Sequence, residues 1–331
     1  MTTLGILLSA VICHQAAGQT SVEAAGQTGS EGTAAVQPDG NPGRYAVVNL
    51  SVNFLREAPD YTAELGTQAL MGTVVEIKGE ESYWRKVVTP EPYTAWCTAM
   101  GLVEMTPEEI SEYNSAPKYI CTAWHGTLYS SASEKSPKIC DLVRGDILRQ
   151  VFSPGRHKAV KRGGFVMAML PDGVCGYVKA DAVEDYSRWK GSRVPSGENV
   201  VREALKFVGV PYLWGGASPN GVDCSGLSLL AYRFCGVDLP RNASQQARLG
   251  TEIRVRDGED IILDSLRAGD LLFFGSRRED GSARVTHVGI YISDGRFIHS
   301  SHLVRINSLL ASEKDFYENS HRLLFARRII K

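Results

Sequence analysis

No stretch of this 331-residue chain comes near the roughly eighteen consecutive apolar residues that a membrane-spanning helix requires. None of its seven cysteines stands in a CxxC pair, which removes the commonest arrangement for structural zinc. Neither sign of charge is in excess. The 36 Lys and Arg against 37 Asp and Glu leave a formal net charge of -1, so nothing points to nucleic acid as a partner. Also missing is a Lys or Arg ahead of the short apolar run Leu4 to Ile12, whose length otherwise suits the core of an export signal. What is present is an ordinary globular composition, 43% hydrophobic, over a length that suggests two or three domains.

Small and polar residues fill Gln15 to Gly43. The expectation is an export signal over residues 1–18 and a flexible linker over 19–44, with the mature chain in the periplasm or cell envelope. Cys13 follows the apolar run directly, which leaves a free or a lipid-anchored form open. Cys140 and Cys175 are candidates for a disulfide in an exported chain, although buried free thiols are the better reading for most of the cysteines. The odd cysteine count leaves room for a free thiol at Cys224.

Residues 45 to 188 carry a weak internal repeat. Ala69 to Ile77, Tyr83 to Val88 and Pro90 to Trp96 correspond to Asp141 to Leu148, Gly164 to Leu170 and Pro171 to Val178. Gly72 then matches Gly145 and Trp96 matches Tyr177, with the extra length of the second copy near Ser153 to Gly163. Short β-rich runs broken by Gly and Pro turns predict two small all-β barrels, over 45–112 and 117–187. Ser187 to Gly197 reads as a linker. Beyond it a helix runs from Glu198 to the breaker Gly209-Val210-Pro211. Residues 224–235 form the next helix, and Asp270–Phe274, Thr286–Ile292, Phe297–Ser301 and Arg322–Arg328 are strands. Helices followed by antiparallel strands predict an α+β domain over 198–331.

Three residues of that domain carry chemistry. Cys224 opens a helix in Asp223-Cys224-Ser225-Gly226-Leu227, where the helix dipole and free N–H groups favour a thiolate. His287 and His299 lie on two strands joined by a turn. A thiol, an imidazole and a group that orients the imidazole are the parts of a cysteine hydrolase. Ser293-Asp294-Gly295 reads as a three-residue loop with Gly295 in the left-handed region. That register opposes Ile292 to Arg296 and Gly289 to His299, so His287 and His299 share a face as diagonal neighbours about 5–8 Å apart. A two-residue turn at Asp294-Gly295 would put them on opposite faces. The catalytic reading therefore requires the odd loop.

In order along the chain, Pro211-Tyr212-Leu213-Trp214-Gly215-Gly216, Asp223-Cys224-Ser225-Gly226-Leu227, Pro240-Arg241, Arg267-Ala268-Gly269-Asp270-Leu271, His287-Val288-Gly289-Ile290-Tyr291 and Phe297-Ile298-His299 resemble the NlpC-type cysteine peptidases of bacterial cell walls. The β-rich half is similar to the bacterial SH3-like modules of such enzymes. The whole chain looks like the YkfC-type branch, γ-D-glutamyl-diamino-acid peptidases. The resemblance implies a papain-like core, Cys224 as nucleophile, His287 as base and acid, and His299 as its orienting partner. It implies no cofactor and no metal. It also implies substrate contacts from Tyr212, Asp223 and Ser225, and from Glu57 and Tyr93 of the first barrel, which would cap a free L-Ala amine. Many relatives have Asp-Ser after Pro-Arg; here Asn242-Ala243-Ser244 stands there, which makes Asn242 and Ser244 further candidates. The implied partners are peptidoglycan-derived peptides, with no obligate protein partner. Two other readings stay open: an endopeptidase anchored on intact wall by the barrels, and a non-catalytic wall-peptide binding protein.

Overall fold

A computed structural model describes residues 43–155, 159–258 and 260–331. The expected export signal, most of the N-terminal linker and Cys13 lie outside the described residues.

The first β unit contains β1 (Arg44–Val48), β2 (Val52–Arg56), β3 (Leu65–Leu70), β4 (Val74–Glu81), β5 (Trp84–Val88), β6 (Thr94–Thr98) and β7 (Leu102–Met105), in the order β3-β2-β6-β5-β4-β1-β7. The second contains β8 (Lys118–Cys121), β9 (His125–Tyr129), β10 (Lys138–Val143), β11 (Ile147–Gln150), β12 (Lys161–Arg162), β13 (Phe165–Met169), β14 (Cys175–Lys179) and β15 (Val183–Asp185). Its order is β10-β9-β14-β13-β11-β8-β15, with β12 paired outside this path to β13. The two orders are the same once β12 is set aside, which is the three-dimensional form of the sequence repeat. Gly72 and Gly145 both take the left-handed backbone, φ 84° and 105°, at equivalent turns. The extra length of the second copy falls between β11 and β13.

Three expectations change here. The expected linker is partly helical: α2 spans Tyr186–Gly191 and buries Trp189 edge-on against Phe234, ring centroids 6.4 Å apart. A helix the sequence reading did not foresee, α1 (Pro107–Ser115), joins the two β units and is started by a capping box between Thr106 and Glu109. No disulfide joins the candidate pair Cys140 and Cys175. They sit on β10 and β14, which flank β9, and two strand spacings of roughly 9–10 Å exceed the Cα separation a disulfide can span.

The third unit has α3 (Gly197–Leu205), α4 (Cys224–Arg233), the short α5 (Ala243–Gln246), and two small ribbons, β16 (Ala217–Ser218) with β17 (Gly221–Val222) and β19 (Arg256–Asp257) with β20 (Asp260–Ile261). Its main sheet is antiparallel, in the order β18-β25-β21-β22-β23-β24, built from β18 (Thr251–Ile253), β21 (Leu271–Arg277), β22 (Ala283–Ser293), β23 (Arg296–Ser301), β24 (Leu303–Ser308) and β25 (Leu323–Arg328). Helices α3 and α4 cover one face. Val200, Ala204, Phe207, Leu227, Leu230 and Ala231 pack there on Phe273, Val288, Ile290 and Ile298, all buried. Each large apolar side chain removed from water in this layer contributes roughly 1.5–3 kcal/mol. The other face buries Leu272, Phe274, Tyr291 and Phe297 in a second cluster.

The three units are fastened by buried polar contacts. Met71 belongs to the hydrophobic core of the second unit. Beside it Asp146, fully buried, accepts from the N–H of Met71 at 3.1 Å, the N–H of Val143 at 2.8 Å and the Ser51 hydroxyl at 2.9 Å. Arg144 pairs with Glu203 of α3 at 2.6 Å and lies over the Phe234 ring. The first unit reaches the third through β3: Arg241 Nε donates to Thr67 Oγ1 at 2.8 Å, and Ala217 N–H donates to Gln68 Oε1 at 2.8 Å. This last junction places the first β unit against the cleft described next.

Candidate active site

Cys224 is the first residue of α4, capped by Asp223, whose carboxylate accepts from the Gly226 N–H at 2.7 Å. At that position a helix leaves its own N–H groups without intrahelical partners. Gly226 is where the first turn of α4 meets Gly216: a Cβ there would sit 2.0 Å from the Gly216 carbonyl oxygen.

The hairpin that carries the histidines differs from expectation in one respect. The turn is the two-residue one, with Asp294 and Gly295 both left-handed and Ser293 paired with Arg296. The odd residue is Ile292, bulged out of β22 where the register shifts between Tyr291 and Ser293. A bulge and an odd loop each add one residue to the same side. The pairing beyond it, Tyr291 with Phe297 and Ile290 with Ile298, is therefore the one that sets Gly289 opposite His299.

The β22–β23 ladder ends at Ile290–Ile298, although β23 stays paired with β24 as far as Ser301–Leu303. The segment leading into α4 fills the gap. Ser300 Oγ donates to the Val222 carbonyl at 2.8 Å, and the Val288 N–H bonds to the Cys224 sulfur. The strand split thus delivers the thiol to the residue next to His287.

His287 Nε2 lies 2.8 Å from His299 Nδ1, and His299 Nε2 lies 2.9 Å from Asn307 Oδ1. Asn307 Nδ2 donates to the Asp315 carbonyl at 2.7 Å, which fixes the amide so that Oδ1 faces His299. The tautomers follow in sequence. Oδ1 can only accept, so His299 carries its proton on Nε2. Its Nδ1 is then an acceptor, so His287 carries its proton on Nε2. The Nδ1 of His287 is left with a lone pair, as a general base requires. Tyr317 packs edge-on against His299, ring centroids 4.9 Å apart.

Burial dominates the electrostatics. It pushes the Cys224 thiol up to about 12, helped by the Asp223 charge and opposed by the Val288 N–H, Arg241 and the Ser225 N–H. It pushes His287 down to about 3, with His299 and Arg322 adding to the effect. The resting pair is therefore a neutral thiol beside a neutral imidazole. This departs from the expected thiolate, because desolvation outweighs the helix terminus.

His299 is fully buried and pushed down to about 4 by burial, against the pull of its bond to Asn307. Its folded value lies below its unfolded one, so the unfolded chain binds the extra proton first as pH falls. Stability is unaffected above the unfolded value of 6.5 and declines between there and about 4. The loss between pH 7 and pH 5 amounts to about 2 kcal/mol from this residue. Urea unfolding at the two pH values should show His299→Phe losing less stability than the wild type by about that amount; equal losses would contradict the assignment.

The remaining sequence candidates divide into three groups. Asp223 and Ser225 are buried and bonded inward. Arg241, 2% exposed, donates to Asp223 Oδ1 at 3.0 Å, to Asp223 Oδ2 at 2.5 Å and to Ser225 Oγ at 2.9 Å. The N–H of Gly215 donates to Asp223 as well. Tyr212 lies close enough to Cys224 and Asp223 for their charges to reinforce the burial that pushes its hydroxyl up to about 12. Tyr93 and Glu57, from the first unit, reach the same cleft: the Tyr93 hydroxyl donates to Glu57 Oε1 at 2.5 Å and lies within the field of Arg241 and Asp223. Asn242 and Ser244 are exposed at the start of α5, and the Asn242 N–H donates to Gln245 Oε1 at 3.1 Å. Missed from sequence were Asn307, Tyr317 and the central part of Arg241. Among the described residues no cluster of His, Cys, Asp and Glu could hold a metal ion, and no helix is long and apolar enough to cross a membrane.

Comparisons with known proteins agree on what this cleft belongs to. Residues 209–322 match the NlpC/P60 family and residues 50–103 match the bacterial SH3 domain. The chain is 27% identical over 260 residues to the gamma-D-glutamyl-L-lysine dipeptidyl-peptidase of Bacillus subtilis strain 168, covering 76% of this chain and 77% of that one. It is 28% identical to dipeptidyl-peptidase 6 of Lysinibacillus sphaericus, covering 80% and 90%. The crystal structure of an NlpC/P60 family protein from Bacillus cereus ATCC 10987 shares the fold, with a TM-score of 0.69 at 23% identity over 87% of this chain and 100% of that one. The chain is a hydrolase of the peptidase class. It carries an NlpC/P60 domain joined to a bacterial SH3 domain.

Proposed function

We propose that this protein is a cysteine-type peptidase that hydrolyses the γ-D-glutamyl–diamino acid bond of peptidoglycan stem peptides and releases L-Ala-γ-D-Glu. The observation that carries the reading is the hydrogen-bonded series from His287 through His299 to Asn307, set beside a thiol at a helix N-terminus. His287 Nδ1 takes the Cys224 proton as the sulfur attacks the γ-carbonyl carbon. The N–H of Cys224 donates to the developing oxyanion; one such donor is typically worth about 3–4 kcal/mol. His287 then protonates the leaving amine, and water attacks the thioester with His287 again as base. His299 accepts from His287 throughout and steadies the imidazolium. Asp223 and Ser225 act on the substrate side through the Arg241 guanidinium that they hold, and Tyr212 lines the cleft beside the thiol.

Glu57 and Tyr93 supply a carboxylate and a hydroxyl suited to a free L-Ala ammonium, which favours short free peptides over intact wall. On this reading the second β unit is a second SH3-like barrel, and the core of the third is papain-like. The proposed limits are 45–112, 117–187 and 198–331. Export by residues 1–18 to the periplasm or envelope belongs to the same proposal.

Mass spectrometry of L-Ala-γ-D-Glu-L-Lys and its diaminopimelate counterpart, after incubation with wild type and with Cys224→Ala, tests it. Release of L-Ala-γ-D-Glu by the wild type alone is expected. Intact peptides in both samples would count against this substrate, and cleavage by the variant would exclude the thiol.

A further inference from the structure

The two imidazoles stand among three aromatic rings that touch one another. Phe274 of β21 and Phe297 of β23 belong to the sheet and are buried. The third, Tyr317, comes from outside the sheet and is half-buried. Ring centroids are 5.4 Å apart for Phe274 and Phe297, 5.4 Å for Phe274 and Tyr317, and 5.5 Å for Phe297 and Tyr317. His299 lies 4.9 Å from Phe297 and 4.9 Å from Tyr317. His287 lies 5.8 Å from Phe274 and 6.2 Å from Tyr317. Tyr317 is therefore in ring contact with both imidazoles and is also the ring that reaches water.

The segment 309–317, between β24 and the short 3-10 turn Glu318–Arg322, carries this ring. It folds back onto the hairpin. The Leu309 N–H donates to the Gly295 carbonyl at 2.8 Å, the Ser308 N–H to the Asp315 carbonyl at 2.9 Å and the Tyr317 N–H to the Ser308 carbonyl at 2.8 Å. Asp315 also pairs with Arg296 at 2.9 Å. Asn307 joins the segment to the imidazoles, since its Oδ1 faces His299 while its Nδ2 donates to the Asp315 carbonyl, two residues before Tyr317. One amide thus sets the tautomer of His299 and the position of the ring beside it. The Tyr317 hydroxyl is bonded to Asn319, so what Tyr317 offers the imidazoles is its ring.

We infer, resting on the proposed peptidase reading, that Tyr317 is a positioning residue whose ring closes the His287–His299 hydrogen bond to water, so that His299 Nδ1, and not solvent, takes the His287 Nε2 proton. Water at that edge would accept from Nε2 and donate to Nδ1, and the tautomers of the two rings would no longer be tied. A dry surround strengthens the bond between them. It also keeps the base from being protonated by the medium, because an imidazolium is costly there. Arg322 acts on His287 and Arg305 on His299, and both charges oppose protonation of the pair. Both also act on Tyr317, as does Cys224. These groups remain when Tyr317 is replaced, so a change in how the pair titrates reads the loss of the ring.

NMR titration of the histidine rings in Cys224→Ala protein reads the pair without cleavage. Adding Tyr317→Ala should make the pair take up its first proton about one pH unit higher, because water then reaches it. Adding Tyr317→Phe, which keeps the ring and drops the hydroxyl, should leave the titration where it was. With the thiol present, the acid limb of kcat/KM on L-Ala-γ-D-Glu-L-Lys should likewise move up by about one pH unit in Tyr317→Ala and stay in place in Tyr317→Phe. Tyr317→Leu fills the same space with a smaller apolar side chain. It should show a smaller rise in the same direction, and it stands in if the alanine variant does not fold. An unshifted pair in the alanine and leucine variants, or a phenylalanine variant as altered as the alanine one, would overturn the inference. If the wild type cuts no stem peptide the proposed reaction fails, while the NMR titration still decides what the ring does.

Discussion

Replacing His299 with phenylalanine should lower kcat by about a thousand- to ten-thousand-fold and leave KM nearly unchanged, as expected when an imidazole loses the partner that fixes its tautomer. Phenylalanine keeps the ring contacts with Phe297 and Tyr317 but offers nothing to accept the His287 Nε2 proton. The proton then has no preference between the two nitrogens of His287. A fraction of molecules holds it on Nδ1, where it blocks attack on the thiol proton, and the imidazolium formed in the transition state goes unsupported. Asn307→Leu should produce a weaker form of the same defect, a loss of about tenfold in kcat, because His299 stays in place but its own tautomer is released. Steady-state kinetics on the free tripeptides gives the split. A loss that falls on KM instead, or an Asn307→Leu variant as poor as His299→Phe, would show that the series does not transmit orientation in this way.

The sequence made the thiol and two imidazoles legible because each stands in a short run with its own local signature: a capped helix start at Asp223, and two apolar strands for the histidines. Their mutual register was reasoned out by placing one odd residue in the turn. The register holds but the placement does not, because the odd residue is a bulge at Ile292, which depends on how β22 lies on β21 and β23. Asn307 was hidden for a related reason. Its strand, β24, follows β23 through His302 alone, a residue with φ 64° that carries no glycine or proline signal. With the strand ended at Ser301 and the next one placed at Arg322–Arg328, β24 and everything on it were missed. Arg241 stood in a recognised Pro-Arg pair, but its ties to Asp223, Ser225 and Thr67 join segments 16 to 174 residues apart. No local pattern reports such contacts. The repeat was legible as two copies of one strand order. The mutual packing of the copies through Met71 and Asp146 was not, because a buried aspartate and an exchanged methionine look like ordinary loop residues.

Glu57→Gln should lower kcat/KM on L-Ala-γ-D-Glu-L-Lys by about thirty- to a hundredfold, since Glu57, exposed in the free protein, would be covered by the bound peptide, and a charge-assisted hydrogen bond so shielded is worth about 2–3 kcal/mol. The effect should vanish on the same peptide with its L-Ala amine acetylated, which the wild type is expected to cleave poorly. The geometry behind this is specific. The Tyr93 hydroxyl, held protonated by burial and by Glu57, occupies one carboxylate oxygen and orients the other. Gly66 lets the pair lie flat on β3: a Cβ there would stand 2.1 Å from Glu57 Oε1 and 2.8 Å from the Tyr93 oxygen. Gly66→Ala should therefore displace both groups and reproduce the loss with both side chains still present. Glutamine keeps the size and hydrogen bonding of Glu57 and removes only the charge. A Glu57→Gln enzyme that still prefers the free amine to the acetylated one by the wild-type factor would mean that the first β unit shapes the cleft without reading the charge of the peptide's end. If that preference disappears in both variants while kcat on the acetylated peptide holds, the carboxylate of the first β unit is what makes the reaction depend on a free amino end.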